Sequence, residues 1–160
     1  MTTALAHVPD PMQKDIVVES HTLGTLSVMP SQVYEFPAGI YGFPDAHSFV
    51  LLPIEREGFF WLQSVEFEAL TFLLMDPFLF VDGYTVDLSD AQLTELLAED
   101  PSSVLVLSIV TLPRDTDSQP TANLQGPVAF NVVERRGKQV AIESGFGVRH
   151  PIDFQGPAKK

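Results

Sequence analysis

The chain between residues 15 and 154 consists of short apolar runs that are interrupted at intervals by proline and glycine. The runs are rich in Val, Ile, Phe, Tyr and Thr, which is typical of β-strands rather than of amphipathic helices. The pattern predicts strands over residues 15–20, 23–29, 32–36, 48–53, 58–64, 70–75, 84–86, 103–111, 127–133 and 138–143. We therefore expect a mainly β protein.

One segment departs from the strand pattern. Ser89 is followed three positions later by Gln92, which is the sequence signature of a capping box at the start of a helix. Leucines at helical spacing come next, and Pro101 prevents further extension. These residues predict a single short helix over about 89–99.

Two turns have a local explanation. The runs at 128–133 and 138–143 flank a stretch ending in Gly137, which can supply the positive φ of a hairpin loop, so an antiparallel hairpin is expected. Gly39 and Gly42 enclose two residues between prolines, which favours a turn with positive φ over a ligand-binding loop.

The length of 160 residues is that of one compact domain. Residues 1–14 and 155–160 show no periodicity, so we expect flexible tails around a domain spanning 15–154. The N-terminus has neither the cationic nor the apolar region of a secretory signal, and no apolar stretch approaches the roughly 20 residues of a membrane span. These features predict a cytoplasmic protein that does not bind membranes.

The formal net charge of the chain is strongly negative, −12 at pH 7. The chain contains no cysteine. Ten acidic residues and no Lys or Arg occur from Glu57 through Pro113, whereas Arg135, Arg136 and Lys138 cluster in the predicted hairpin. A negative field repels phosphate backbones and anionic lipids, which argues against general nucleic-acid or membrane binding. Basic protein partners are favoured instead.

The catalytic possibilities are weak. Glu66 with Glu68, or Asp115 with Asp117, could form the acid and base pair of a glycosidase, but both pairs lie in turn-like sequence where solvated loops are the simpler interpretation. A carbohydrate-binding or carbohydrate-active β-domain is retained as the alternative function, ahead of a purely structural module.

Motifs for metals and cofactors are missing. The histidines His7, His21, His47 and His150 are widely separated, and a calcium loop starting at Asp115 would have proline and glycine where glycine and glutamate are needed. The sequence contains no nucleophile elbow, Walker loop or dinucleotide fingerprint. We therefore predict no catalytic residue, no metal and no cofactor.

The aromatic residues form tight groups. Phe59, Phe60 and Trp61 alternate between the two faces of one predicted strand, which favours a strand buried on both sides. Phe78 and Phe80 follow a proline in a predicted loop, where we expect a short extended segment with both rings near the surface, or with one of them turned into the barrel.

An apolar loop tip surrounded by carboxylates suits a basic, amphipathic protein partner, although plain core packing of the phenylalanines stays open. The candidate partner-binding residues are Asp76, Phe78, Phe80, Asp82 and Asp87.

Several segments together resemble the FliW family of flagellar assembly factors. They occur in the family's order across residues 15–154 and comprise Phe36–Phe43, Phe59–Ser64, Asp76–Phe80, Thr121–Val128 continuing to Asn131, and Arg149–Ile152. Two features depart from the family pattern: the long N-terminal tail, and Phe146 in place of an expected tyrosine.

The resemblance implies a small, mostly antiparallel β-barrel-like fold without catalytic activity. It also implies two alternative partners: flagellin, bound before export, and the RNA-binding translational repressor CsrA, antagonised away from its RNA site once flagellin has been exported. The candidate residues named above come from the aromatic and charge patterns and not from the resemblance.

Overall fold

A computed structural model describes residues 15–115 and 117–154, so the predicted tails and His7 lie outside the described residues. The strands are β1 Ile16–Ser20, β2 Gly24–Val28, β3 Val33–Glu35, β4 Ser48–Pro53, β5 Phe59–Ser64, β6 Thr71–Met75, β7 Val104–Thr111, β8 Thr121–Ala122, β9 Val128–Asn131, β10 Arg136–Gln139 and β11 His150–Pro151. The helices are α1 Pro77–Phe80 and α2 Asp90–Glu95.

Seven of these strands close into a barrel in the order β7, β6, β5, β4, β3, β10, β9, with β9 pairing back to β7. The long strand β7 makes this possible, because Val104–Leu107 pair with β9 and the following residues pair with β6. Strands β8 and β11 extend the sheet beyond β7, and β1 with β2 forms a separate hairpin. The predicted mainly β, barrel-like single domain is confirmed.

One of the strand pairings in the barrel is parallel, so the barrel is not fully antiparallel. Strand β10 meets β3 in parallel orientation at the single pair of Arg136 and Glu35. All other strand pairings in the described part of the chain are antiparallel. A parallel neighbour needs a long connection, and the chain supplies it by running through the rest of the barrel between β3 and β10.

Strand β5 is covered on both faces, as its alternating aromatics predict. Phe59 belongs to a buried cluster with Met75 and Phe80, whereas Phe60 packs against the cluster that contains Leu62 in the barrel interior. Successive strand residues point to opposite faces, so one strand serves two cores.

The predicted hairpin is confirmed, but its loop lies two residues earlier. Strands β9 and β10 pair antiparallel, with Asn131 opposite Arg136, and the positive φ of 55° belongs to Arg135 rather than to Gly137. Gly137 instead lies in β10 against the buried ring of Phe36, where an added Cβ would come 2.2 Å from the ring. The glycine is required by this close approach and not by the turn.

Helix α2 has the predicted capping box but ends early. The Ser89 hydroxyl accepts a hydrogen bond from the Gln92 amide at 3.1 Å, and the Gln92 side chain accepts one from the Ser89 amide at 2.9 Å. The last helical residue is Glu95, because Leu97 adopts a left-handed φ of 59° that stops the helix. The expectation of a single helix was wrong, since α1 is also helical, and the strand predicted at 84–86 does not form.

Candidate protein-binding site

The segment predicted to be extended forms the one-turn helix α1. The Asp76 carboxylate accepts a hydrogen bond from the Phe78 amide at 2.9 Å, which caps the helix, and Pro77 occupies its first position. Proline at this position costs no hydrogen bond and its φ suits a helix, so an Asp followed by Pro favours helix initiation here. The expectation of an extended segment was therefore wrong.

Phe80 is a core residue. Its ring is only 5% exposed and meets the Phe59 ring edge-on at 5.2 Å between centroids. Residues two apart in a helix point in nearly opposite directions, about 200° apart, so α1 buries Phe80 and turns Phe78 outward. Of the two arrangements left open by the sequence, the one with a single ring turned inward is found, and the buried ring is that of Phe80.

Phe78 is the exposed apolar residue of this segment, with half of its surface accessible. Its ring lies 5.5 Å from that of Tyr84, whose hydroxyl donates a 2.8 Å hydrogen bond to the Leu124 carbonyl. Burial raises the pKa of Tyr84 to about 12, so the phenol keeps its proton and this bond persists at physiological pH. Phe78 therefore rests on a fixed, buried support.

The carboxylates of the segment differ in environment. Asp82 and Asp87 are exposed, whereas Asp76 is half-buried. Burial raises the pKa of Asp76, against the lowering effect of the Phe78 amide, and the negative charge of Glu57 raises it further. The Asp76 carboxylate is thus hydrogen-bonded to the Phe78 amide, whereas Asp82 and Asp87 are exposed charges on the segment after α1.

We expect Asp76→Asn to raise the free energy of unfolding at neutral pH relative to the parent. Asparagine can still cap the helix. It also removes a carboxylate whose charged form is less favourable in the folded protein than in the unfolded chain. A raised pKa means that the folded parent loses stability as the pH rises through the titration of this carboxyl.

The advantage of Asp76→Asn should therefore grow between acidic and neutral pH in denaturant titrations. Asp76→Ala is the control, because it also removes the charge but loses the cap, at a cost of about 0.5–2 kcal/mol. A stability difference between parent and Asp76→Asn that shrinks as the pH rises would contradict the assignment.

Arg56 is a neighbour that the sequence did not indicate. It is the only Lys or Arg between residues 15 and 113. Its guanidinium lies 4.9 Å from the centre of the Phe59 ring, 5.9 Å from Phe80 and 5.5 Å from Phe154. The guanidinium therefore lies over one end of the buried cluster, where each cation–π contact contributes about 0.5–2 kcal/mol depending on how far it is desolvated.

A second surface was also missed. An open, largely apolar groove of about 460 Å³ is lined by Gly42, Phe43, Pro44, Asp45, Ala46, Phe67, Ala69 and Leu70. Phe43 and Phe67 remain 43% and 46% exposed. Phe43 directly follows the turn at Gly39 and Gly42, whose φ values of 70° and 88° confirm that predicted turn, but no feature of the sequence marks its ring as exposed.

The paired carboxylates considered for catalysis bond to the backbone. Glu66 accepts from the amides of His47 and Ser48, each at 3.1 Å. Asp115 accepts from the amides of Asp117 and Ser118, each at 3.0 Å. Glu66 thus joins the loop after β5 to the start of β4, and Asp115 orders its own turn, which favours the structural interpretation over an acid and base pair.

The described residues contain neither a metal-binding cluster nor a membrane-spanning helix. Among them no three His, Asp or Glu side chains come together in a group that could hold a metal ion. Neither described helix has the length and apolar character needed to cross a bilayer.

Several known proteins similar to this chain are described as flagellar assembly factors FliW. The family model described as FliW protein matches residues 17–152. A flagellar assembly factor FliW of Treponema denticola is 35% identical over 136 residues, covering 84% of this chain and 92% of the relative. One from Moorella thermoacetica is 39% identical over 137 residues, covering 84% and 87%.

The fold agrees with the sequence match. A crystal structure of a flagellar assembly factor FliW superposes with a TM-score of 0.78 at 34% identity, covering 85% of this chain and 96% of that protein. The match extends through the closed barrel and both candidate surfaces, which all lie within residues 17–152. The chain belongs to the FliW family of flagellar assembly factors.

Proposed function

We propose that this chain is a non-catalytic cytoplasmic protein that binds flagellin before export. When free of flagellin, it binds and antagonises the translational repressor CsrA, which relieves repression of flagellin mRNA translation. It acts without a cofactor and without binding nucleic acid or membranes itself.

Membership of the FliW family is the observation that carries this proposal. The charge distribution supports it, because a −12 chain attracts a cationic RNA-binding protein and opposes RNA phosphates brought near it. The exposed ring of Phe78 adds an apolar anchor for an amphipathic segment.

The proposed contact site comprises Phe78 with the carboxylates of Asp76, Asp82 and Asp87. Phe80 contributes indirectly, because its buried ring holds α1 on the barrel. An aromatic ring on a rigid support with exposed charges around it resembles the anchors of protein interfaces, where the apolar centre provides affinity and the charged rim steers encounter.

The test uses purified protein with flagellin and CsrA from the same organism. The protein should bind each of them, release CsrA from the leader of flagellin mRNA, and lose that effect when flagellin is added in excess. A protein that binds neither partner would refute the proposal, and binding of glycans on an array would favour the carbohydrate alternative.

Charge reversal tests the electrostatic part. Asp82→Lys with Asp87→Lys should slow association with CsrA, and raising salt from about 50 to about 500 mM should slow it for the parent, because both weaken steering. Flagellin binding should change less, since an amphipathic helix is held mainly by apolar contact.

The matched control is Asp117→Lys with Glu143→Lys, which makes the same change in net charge at two exposed positions outside this segment. Equal slowing of CsrA association by both double variants would assign the effect to overall charge and remove the segment as the contact site.

A further inference from the structure

We propose that the groove lined by Phe43 and Phe67 is a second docking surface, and that it takes a basic amphipathic helix of a protein partner. This assignment goes beyond the proposed function, which places partner contacts around Phe78. Strand β6 separates the two surfaces, since Leu70 and Asp76 lie at its opposite ends, about 20 Å apart at strand rise.

The apolar character of the groove is the first observation. Phe43 and Phe67 present nearly half of their surfaces to solvent on the walls of one 460 Å³ depression, with Leu70 between them and the core. The Phe43 ring contacts Phe72 edge-on at 5.8 Å and is thereby held in place. Grouped aromatic rings left exposed around a concavity mark a binding surface more often than scattered apolar residues do.

The walls of the groove are preformed. The Phe43 amide donates to the Ile40 carbonyl at 2.6 Å, and the Ala46 amide donates to the Phe43 carbonyl at 3.2 Å. Gly39 packs so closely that a Cβ there would lie 2.4 Å from the Phe43 carbonyl oxygen. A rigid groove loses little conformational entropy when it is filled.

The Glu66 carboxylate ties the two walls together. It lies on the turn beside Phe67 and accepts from the amides of His47 and Ser48, just beyond the other wall. The Leu70 amide donates to the Phe67 carbonyl at 3.0 Å. Because these amides are paired within the protein, the groove offers few free groups for an added strand. A helix, whose backbone bonds are satisfied internally, fits this surface better.

The acidic residues around the groove favour a helix that carries positive charge. Asp45 lines it, and Glu66 and Glu68 flank Phe67 in the chain. The Nε2 atom of His21 lies 3.4 Å from Oε1 of Glu68. Arg56 is the only Lys or Arg between residues 15 and 113. An acidic partner or a second copy of this chain would meet repulsion here, whereas lysines flanking an aliphatic stripe would be attracted.

The probe is a synthetic peptide of about five helical turns, with leucines at positions i, i+3, i+4 and i+7 on one face and lysines elsewhere. Its counterpart carries glutamate in place of lysine. Titration of the isotope-labelled protein should shift amide resonances of Gly42, Phe43, Asp45, Ala46 and residues 67–70 with the lysine peptide, and the glutamate peptide should leave them unchanged.

Variants locate the binding. Phe43→Ser and Phe67→Ser should each weaken affinity for the lysine peptide about tenfold, as expected for apolar anchors. Asp45→Lys should weaken it while keeping both rings. Val133→Ser is the matched control, because Val133 is 68% exposed outside the groove lining and its replacement should change nothing.

Shifts centred elsewhere, equal binding of the glutamate peptide, or affinity that survives all three groove variants would overturn the proposal. A parent that binds the lysine peptide in the groove but neither flagellin nor CsrA would refute the proposed function and support this site. Binding of flagellin and CsrA without binding of the lysine peptide would support the proposed function and overturn the groove as a docking surface.

Discussion

Phe80→Ala is expected to lower the free energy of unfolding by about 3–5 kcal/mol, which is the cost of removing a large aromatic side chain from a packed core. The ring lies among Phe59, Val81 and Tyr84 in a cluster of buried residues, and it carries the contact between α1 and the barrel. Denaturant unfolding monitored by circular dichroism measures the loss directly.

Phe78→Ala is the control on the same helical turn. Half of the Phe78 ring is already in water, so its removal should cost about 1 kcal/mol or less while weakening partner binding. Equal losses of stability for the two variants would contradict the division of α1 into a buried and an exposed side. If the Phe80→Ala protein had the parent's melting temperature, Phe80 would have to be a surface residue and its assignment to the core would be wrong.

Most of the longer strands could be predicted from the sequence because their signals are local, whereas the two-residue strands β8 and β11 were missed. The run over 48–53 matches β4 to the residue, and the runs at 58–64 and 103–111 each differ from their strands by one residue. Apolar β-branched and aromatic residues bounded by turn formers carry this information within a few positions.

Two local predictions failed for different reasons. Tyr84 is 4% exposed, but its hydroxyl bonds the Leu124 carbonyl from a segment without regular structure, so a large side chain is buried without a strand. At α1, Pro77 was expected to prevent a helix, whereas a proline at the first helical position favours one.

Closure of the barrel could not be read from single segments. Strand β10 joins β3 at one residue pair in parallel orientation, and one edge of β7 pairs first with β9 and then with β8 while the other edge pairs with β6. Such pairings depend on the register of strands far apart in the chain, which local periodicity does not encode.

The candidate surfaces were predictable only in part. The charges of Asp82 and Asp87 were evident from composition, and both are exposed as expected. Phe43 and Phe67 lie 24 positions apart in the chain, and only the folded barrel brings them to one groove. A phenylalanine in sequence reads as core by default, so exposed rings require the structure to be found.

Asn131 gives the second large prediction, because one buried amide joins two elements. Its nitrogen donates to the carbonyls of Leu96 and Leu97 at 2.9 and 3.1 Å, where α2 ends. Its oxygen accepts from the amides of Val133 and Glu134 at 3.0 and 3.2 Å, in the loop before β10. The side chain is 2% exposed, so water cannot replace these bonds without entering the site.

Asn131→Ala should therefore lower the free energy of unfolding by about 2–4 kcal/mol, since the buried Leu96 carbonyl left without a partner costs about 1–3 kcal/mol and three partly buried groups lose their partner as well. Asn123→Ala is the matched control: its oxygen accepts from only the Gln125 and Gly126 amides, in a less buried turn, and about 1 kcal/mol is expected. Hydrogen exchange should become faster at both α2 and the β9–β10 loop in Asn131→Ala and at neither in Asn123→Ala. Equal losses in the two variants, or faster exchange in the loop alone, would show that Asn131 does not couple the end of α2 to the barrel.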